Sequence, residues 1–598
     1  MKLVLREDIL NSLPDGTDRP QYTALSYVWG QSTTTGPQLM TDLNTLAERC
    51  AGINEKDLPA AVRDAVLVTR ALSIPYLWVD ALCILQDKSE NQDWEKECAM
   101  MDKIYEHAKL TICAATSRSY SDGFLRRPTW LPILQIRFMS PSFSRTPFSK
   151  YRIQSFVVAT KQHLPGSIEE CNTWETSWRK RGWTFQEGLL SGRCLTFGWL
   201  GLVFSCPTSH LIQGGIPRAG PLNFKLSQYS EPTFLSKDET ARHSDLYKTW
   251  AVTILRGYSL RRGEAGLSRS TDCLPALAGL AAKFSHLLGV PGTDYVAGLW
   301  KQDLLRSVIW IARTSHDRGS IEFDELLHQL SVEPWLAPSW SWANRSVAYR
   351  EFSFFDGAAP GTVDVLGYTL HHLVSLRSES DITAVTTPQD TSNVFGKISS
   401  GVLHATTKVA ALPSTPLVRE QRLLDIKNIT NGPKIVYLGY RYFATCVFDW
   451  DEGDGTGQWR YSHLRAPYTK VKMVLLGSAE LTLQDPEDST TKLENQTLER
   501  QDIKDNSTSI KDINREDLEN PSQEDTRDLS PELDWRGETE DARDRNCTGD
   551  RCAIGLLVLP APGKPRQYYR VGVFFSEPRG RGGLKAFQDL EDVTVEII

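Results

Sequence analysis

A strand, a helix and a second strand follow one another within Tyr76–Ala115, and this order constrains the fold more than any other feature of the sequence. The apolar run Tyr76–Val79 has the aromatic and β-branched residues typical of a strand, and it stops at Asp80. Within Trp94–His107, apolar residues recur at spacings of three and four, which predicts a helix with one buried face. The run Leu110–Ala115 predicts the next strand. Because a crossover helix joins parallel strands, the stretch predicts an α/β domain.

The residues before this stretch predict the same alternation. Tyr22–Val28 predicts a strand that ends at Trp29 and Gly30, and a helix is predicted from about Asp57 to Leu72. The order β–α–β–α–β favours a doubly wound, mainly parallel sheet, in which ligands bind beyond the carboxyl ends of the strands. Asp80 directly follows such a strand, so its carboxylate is predicted at the ligand-binding edge.

The length of 598 residues predicts several further units, because it exceeds the size of one compact domain. Apolar periodicity and composition divide the rest of the chain. The predicted parts are a lead-in (1–21), a mostly helical middle region with a hairpin near 194–206 (188–335), a β-rich region (336–483), an acidic disordered insertion (484–551) and a β-hairpin that folds back on the β-rich region (552–598).

Charge and apolar patterning restrict the partners that we expect. The net charge is −7, but 484–551 holds 21 acidic and 10 basic residues, so the remainder is close to neutral. A neutral surface does not favour nucleic acid or an anionic membrane. The longest apolar runs fall short of the ~18–20 residues of a membrane helix. The 11 scattered cysteines and a polar N-terminus favour a reduced, cytoplasmic protein, with no metal site predicted.

Three aromatic-rich blocks then follow in order. They are YTALSYVWG at Tyr22–Gly30, LWVDALCILQD at Leu77–Asp87 and RGWTFQE at Arg181–Glu187. Over about 22–187 the chain resembles the HET (heterokaryon incompatibility) domain of filamentous fungi. The resemblance implies a role in non-self recognition after hyphal fusion, with the domain triggering programmed cell death. HET domains look like distant relatives of TIR domains, which implies a TIR/flavodoxin-like layout and, by analogy, cleavage of NAD by one glutamate.

Glu97 is the candidate catalytic residue. It is predicted in the first turns of the helix that follows a polar loop, from where its carboxylate would reach the carboxyl edge of the sheet. A carboxylate there would stabilise the oxocarbenium-like state of glycosidic cleavage. The alternative is a solvated helix face within Glu95–Glu97, where carboxylates also favour the positive end of the helix dipole.

The other candidates for ligand binding come from the three blocks, and each also has a structural interpretation. Asp80 would bind a ribose hydroxyl or cap the next turn, and Trp29 would stack on a base or fill the core. Arg181 and Glu187 would complete a pocket or pair with each other. Catalysis by Cys83 is disfavoured because no histidine lies nearby in the sequence. The remaining candidates are Ser26, Tyr27, Gly30, Trp78, Gln86, Trp183 and Gln186.

Two functional hypotheses therefore stay open. In the first, the domain binds or cleaves NAD-like nucleotides, with NAD as substrate rather than as a resident cofactor. In the second, the same domain is a non-enzymatic module that works through protein partners or self-association, and the motif residues form its core.

Overall fold

The computed structural model describes most of the two ends of the chain and much of its middle. The described residues are 1–12, 19–30, 38–86, 93, 97–98, 100–126, 173, 176–199, 201–213, 218–219, 232–235, 237–258, 266–314, 323–331, 335–344, 350–354, 373–391, 393–413, 417–419, 434–438, 441–450, 468–481, 550–578 and 580–598. The predicted acidic insertion falls almost wholly outside them. Among these residues, no helix has both the length and the apolar character needed to cross a membrane.

A mainly parallel sheet organises the N-terminal part, which confirms the predicted α/β class. Its strands lie in the order β2-β1-β3-β4-β5-β6-β7, with the first four parallel and the last three antiparallel. They are β1 Tyr22–Ser26, β2 Tyr76–Trp78, β3 Leu110–Cys113, β4 Cys194–Phe197, β5 Leu202–Ser205, β6 Ser209–Ile212 and β7 Arg218–Ala219.

Helices cover both faces of this sheet. In chain order, the α-helices of all the described parts of the chain are α1 Arg6–Asn11, α2 Leu46–Ala51, α3 Ala60–Ala71, α4 Asp80–Cys83, α5 Met101–His107, α6 Ser177–Lys180, α7 Trp183–Leu190, α8 Pro232–Leu235, α9 Glu239–Val252, α10 Ala278–Leu288, α11 Leu304–Ser307 and α12 Phe323–Ser331. Leu25 packs with α3, whereas its neighbour Ala24 packs in the cluster that contains α5 and α7. Successive residues of a strand face opposite sides, so the two clusters lie on opposite faces.

Two predicted elements differ in extent from the structure. The helix α5 begins only at Met101, after a turn at Met100, while Glu97 lies on a helical turn before it. Residues 94–96 and 99 of the predicted helix lie outside the described residues. The hairpin near 194–206 belongs to the N-terminal sheet, because Leu195 of β4 pairs in parallel with Ile112 of β3. The sheet therefore continues past Glu187.

Most of the C-terminal part is a ten-stranded sheet. Its strands are β12 Leu373–Ser378, β13 Asp381–Pro388, β14 Ile398–Ala411, β15 Leu417–Arg419, β16 Lys434–Leu438, β17 Arg441–Phe448, β18 Lys472–Leu481, β19 Cys552–Pro560, β20 Gln567–Ser576 and β21 Asp592–Ile597. The last hairpin, β19–β20, pairs through β19 with β18, and Ala479 lies opposite Cys552. Two short ribbons connect the parts, and their strands are β8 Tyr295–Val296, β9 Leu299–Trp300, β10 Trp310–Thr314 and β11 Arg350–Phe354.

The N-terminal part shares its core with the rest of the chain. One apolar cluster runs from Ala24 through α9 and α10 to the C-terminal strands. Across the junction, Lys283 Nζ of α10 lies 2.6 Å from Glu106 Oε1 of α5. Asp272 hydrogen-bonds to the Trp183 side chain and lies 3.8 Å from Lys397 Nζ. Cutting the chain after α7 would therefore expose apolar surface that is now buried.

Candidate functional site

The three blocks converge beyond the carboxyl ends of β1 and β2. Ser26 is the last residue of β1, Asp80 follows β2 by two positions, and Glu187 of α7 contacts Ser26 and lies within electrostatic reach of Asp80. Glu187 is 6% exposed and Ser26 is fully buried, whereas Asp80 is half-buried. The structure thus brings together two carboxyl groups that are 107 positions apart, at the edge where parallel sheets bind ligands.

Glu187 is held by side chains from three segments. The Ser26 hydroxyl donates to Glu187 Oε2 at 2.5 Å, and the Trp178 indole N–H donates to Ser26 Oγ at 2.7 Å. The Tyr105 hydroxyl also hydrogen-bonds to the Glu187 carboxyl group. These bonds fix the Glu187 side chain over the end of β1.

Asp80 has its own set of donors. Its Oδ2 accepts from the Trp29 indole N–H at 2.8 Å, and its Oδ1 accepts from the backbone N–H of Ala81 at 2.7 Å. The Tyr27 hydroxyl is also hydrogen-bonded to this carboxyl group, and it accepts from Gln38 Nε2 at 2.9 Å. Asp80 therefore accepts one backbone N–H at the start of α4 and one indole N–H from Trp29.

Burial and the neighbouring Asp80 charge both make the Glu187 carboxyl group harder to ionise. Burial raises the pKa of Glu187 to about 8, the Ser26 hydrogen bond opposes this rise, and the nearby Asp80 charge adds to it. Burial also raises the pKa of Asp80, against its bonds from Ala81 and Trp29. The charge of Arg181 lowers the pKa of both groups. With a pKa of about 8, Glu187 is therefore mostly protonated at neutral pH.

Residues 22–187 match the family model described as heterokaryon incompatibility protein (HET). This part of the chain is a HET domain. The match confirms the predicted resemblance over the same residues, and it associates the domain with a function of the heterokaryon-incompatibility type. Searches of curated proteins and of solved structures each found no match.

Gly30 closes the first block of the HET domain because no larger residue fits there. Its φ is +79°, and a Cβ on it would lie 2.5 Å from the Cβ of Ser119. The backbone N–H of Tyr120 donates to the Trp29 carbonyl at 3.2 Å, so the same approach holds Trp29 against the loop after β3. Gly30 thereby keeps the Trp29 indole in reach of Asp80.

We expect Gly30→Ala to destabilise the HET domain more than Gly289→Ala destabilises α10. Gly289 also has a positive φ, +66°, but nothing lies within 4 Å of its added Cβ. Gly289→Ala should therefore cost only the left-handed conformation, about 1–2 kcal/mol. Gly30→Ala adds a steric clash of about 1–3 kcal/mol. Urea unfolding of the two variants measures the difference, and equal losses would mean that the loop at Ser119 moves aside freely.

Four further motif residues of the HET domain have structural contacts. The Trp78 ring packs edge-on against Tyr105, with centroids 5.6 Å apart. Gln86 Nε2 donates to the backbone carbonyl of Asp80 at 3.3 Å. Trp183 hydrogen-bonds to Asp272, and Gln186 is fully buried with its side-chain oxygen against Gly279.

Cys83 lies close enough to Asp80 and Glu97 for both charges to act on its thiol. Burial raises the pKa of the Cys83 thiol to about 11, with smaller contributions from the charges of Asp80 and Glu97. A thiol with that pKa is a poor nucleophile at neutral pH. Because Glu97 and Asp80 both act on Cys83, the helical turn that carries Glu97 lies on the same side of the domain as the carboxyl pair. Its catalytic role stays a prediction.

Sequence reasoning missed two residues of the site. Tyr105 packs in the apolar core under α5, but its hydroxyl also reaches Glu187 and, at 3.3 Å, the carbonyl of Leu25. Trp178 lies three positions before the third block and belongs to none of the three. A buried indole N–H usually donates to an acceptor, so a hydrogen bond from Trp178 to a nearby polar side chain could have been predicted from the sequence.

Proposed function

We propose that this chain acts in non-self recognition of the HET type and triggers programmed cell death by cleaving NAD-like nucleotides at the Asp80–Glu187 site. One observation carries the enzymatic part: two carboxyl groups with raised pKa values meet at the ligand-binding edge, one fully enclosed and one half-buried. Titratable pairs whose surroundings separate their pKa values are typical of catalytic sites.

The pair divides the chemistry of hydrolysis between its members. Water attacks the ribose carbon as the glycosidic bond breaks, and nicotinamide leaves as a neutral molecule with the bonding electrons. Asp80, ionised and partly accessible, stabilises the positive charge of the ribose and accepts the proton of the water. A neutral Glu187 adds no second negative charge, so it does not oppose the ionisation of Asp80 when the substrate binds. It also holds Ser26 and Tyr105 in place through hydrogen bonds.

The strand order supports a TIR/flavodoxin-like layout for the domain. The parallel order β2-β1-β3-β4 is the beginning of the flavodoxin-like order 2-1-3-4-5. We propose this layout, with a cytoplasmic location, as the setting for the reaction. The strand that follows β4 is antiparallel, so the end of the sheet departs from that order.

A second function is favoured by a different observation. The donors around Asp80 and Glu187 come from the chain itself, namely from Ser26, Trp29 and Tyr105. Such a network also locks three segments together without any substrate. In this alternative the HET domain is a non-enzymatic module that acts by self-association.

Consumption of NAD by the full chain, free and artificially clustered, decides between the two functions. The full chain is needed because the core of the domain continues beyond residue 187. We expect Asp80→Asn to lower consumption at least a hundredfold, while Glu48→Gln, at a carboxylate that is 70% exposed, leaves it unchanged. Loss in Glu97→Gln but not in Asp80→Asn would move the catalytic carboxylate to Glu97. If the folded, clustered wild type consumes no NAD, the enzymatic proposal is rejected and the self-association alternative is supported.

A further inference from the structure

We infer that a cavity at the same edge of the sheet as the carboxyl pair holds one heteroaromatic base of a nucleotide. The inference rests on the proposed nucleotide-cleaving function and adds a specificity site to it. The cavity lies beyond the carboxyl ends of β3 and β4, where the sheet changes from parallel to antiparallel. Its walls are Thr116, Phe124, Leu125, Phe197, Gly198, Gly201, Leu202 and Gln213.

The walls suit a flat ring. Phe124 and Phe197 form one side, with ring centroids 4.7 Å apart and ring planes at 55°. The backbone of Gly198 and Gly201 forms part of another, so no side chain blocks the approach there. Aromatic side chains stack on any base, because every base has a π-face.

The size of the cavity limits its occupant to one ring system. Its volume is about 220 Å³. An engineered protein cavity of about 150 Å³ binds benzene, so this volume is large enough for a pyridine or purine ring and too small for a whole dinucleotide. The Thr116 hydroxyl and the Gln213 amide are the polar side chains of the wall. Polar groups of this kind fix the edge of a base that carries amide or amino groups.

Ser26, which hydrogen-bonds to Glu187, lies within the length of a nucleotide from the cavity, and Asp80, which follows β2, lies one strand further. Ser26 and Phe197 end β1 and β4, which are separated by β3 alone. Two strand spacings are about 10 Å. A base in the cavity would therefore place its ribose along the strand ends, towards Asp80.

Binding by the full chain of AMP, of nicotinamide mononucleotide and of ribose 5-phosphate tests the inference without requiring any cleavage. Leu202→Trp fills the cavity from β5, and Leu211→Trp is the matched control on β6, where Leu211 is 41% exposed and does not line the cavity. We expect Leu202→Trp to weaken the binding of at least one of the two base-bearing probes tenfold or more. Its binding of ribose 5-phosphate should stay unchanged. Leu211→Trp should bind the base-bearing probes as the wild type does. Thr116→Val, a nearly isosteric change, should weaken the same probe several-fold.

Equal binding of the base-bearing probes by the two tryptophan variants, with unchanged binding by Thr116→Val, would overturn the inference. So would a wild type that prefers neither base-bearing probe to ribose 5-phosphate. The outcomes also separate the cavity from the catalytic proposal. If Leu202→Trp cleaves NAD with an unchanged KM, the base-binding role of the cavity is rejected and the catalytic proposal stands. If base binding depends on Leu202 but the wild type cleaves no NAD, the base-binding role stands and the catalytic proposal is rejected.

Discussion

Asp449→Asn is expected to lower the free energy of unfolding of the C-terminal region by about 3–5 kcal/mol, because it leaves a buried cation without its partner. Arg570 is fully buried on β20, and its Nη1 lies 2.6 Å from Asp449 Oδ2. Its guanidinium group stacks 3.4 Å from the centroid of the Trp310 ring and donates from Nη2 to the Trp310 carbonyl. The asparagine keeps the shape of the site but removes the charge that offsets the desolvation of Arg570.

The Arg551–Glu480 pair supplies the control. Its atoms also lie 2.6 Å apart, but Glu480 is 50% exposed, so Glu480→Gln should cost at most about 1 kcal/mol. Urea unfolding followed by tryptophan fluorescence compares the two variants. The double variant Arg570→Met/Asp449→Leu should recover much of the loss, since it removes both charges at similar volume. Equal midpoints for Asp449→Asn and Glu480→Gln would show that the buried charge is solvated in some other way.

The second large effect is a dependence of stability on pH that Glu187 controls. The pKa of Glu187 is raised from 4.5 to about 8 in the folded chain. Below pH 4.5 both the folded and the unfolded states hold the proton. As the pH rises towards 8, the unfolded state releases it and the folded state retains it, so stability falls across this window. At about 1.36 kcal/mol for each pH unit, the total loss over this window is on the order of 5 kcal/mol.

Glu187→Gln should flatten this part of the profile, because the amide cannot ionise and its oxygen can still accept from Ser26. The variant should therefore be more stable than the wild type near pH 8 and should lose that advantage near pH 5. Melting temperatures between pH 4.5 and 8.5 measure both profiles. Glu48→Gln, at an exposed carboxylate, should keep the wild-type slope. Parallel profiles for wild type and Glu187→Gln would mean that Glu187 is ionised in the folded state.

The sequence was informative where periodicity and strand order decide the structure. Alternating strands and helices up to Cys113 predicted the parallel sheet, and Asp80 was placed at its edge. The pairing of β4 with β3 was not predicted, because a hairpin in isolation does not show which sheet its first strand joins. The tryptophans also needed the structure. Trp340 and Trp342 are fully buried, whereas the indole of Trp29 serves as a donor to Asp80, and no local pattern separates these cases.

The carboxyl pair was only half predicted for the same reason. Glu187 and Arg181 were expected to pair with each other or to complete a pocket, since they lie on one helical stretch. In the structure Glu187 is hydrogen-bonded to Ser26, a contact between residues separated by 161 positions, while the Arg181 charge also acts on it. Only tertiary packing of α7 over the end of β1 decides which partner a buried carboxyl group meets.

The pairing of β18 with β19 has a consequence for how this protein can vary. Ala479 faces Cys552, so the chain leaves the sheet after Leu481 and re-enters it beside the same point. A connection whose ends already meet contributes little to the cost of folding, since doubling its length adds only about 0.6 kcal/mol of closure entropy. Closure entropy therefore sets little limit on the length of the connection between the two strands while the register of the sheet persists. The same point would accept a reporter or an affinity tag in the laboratory.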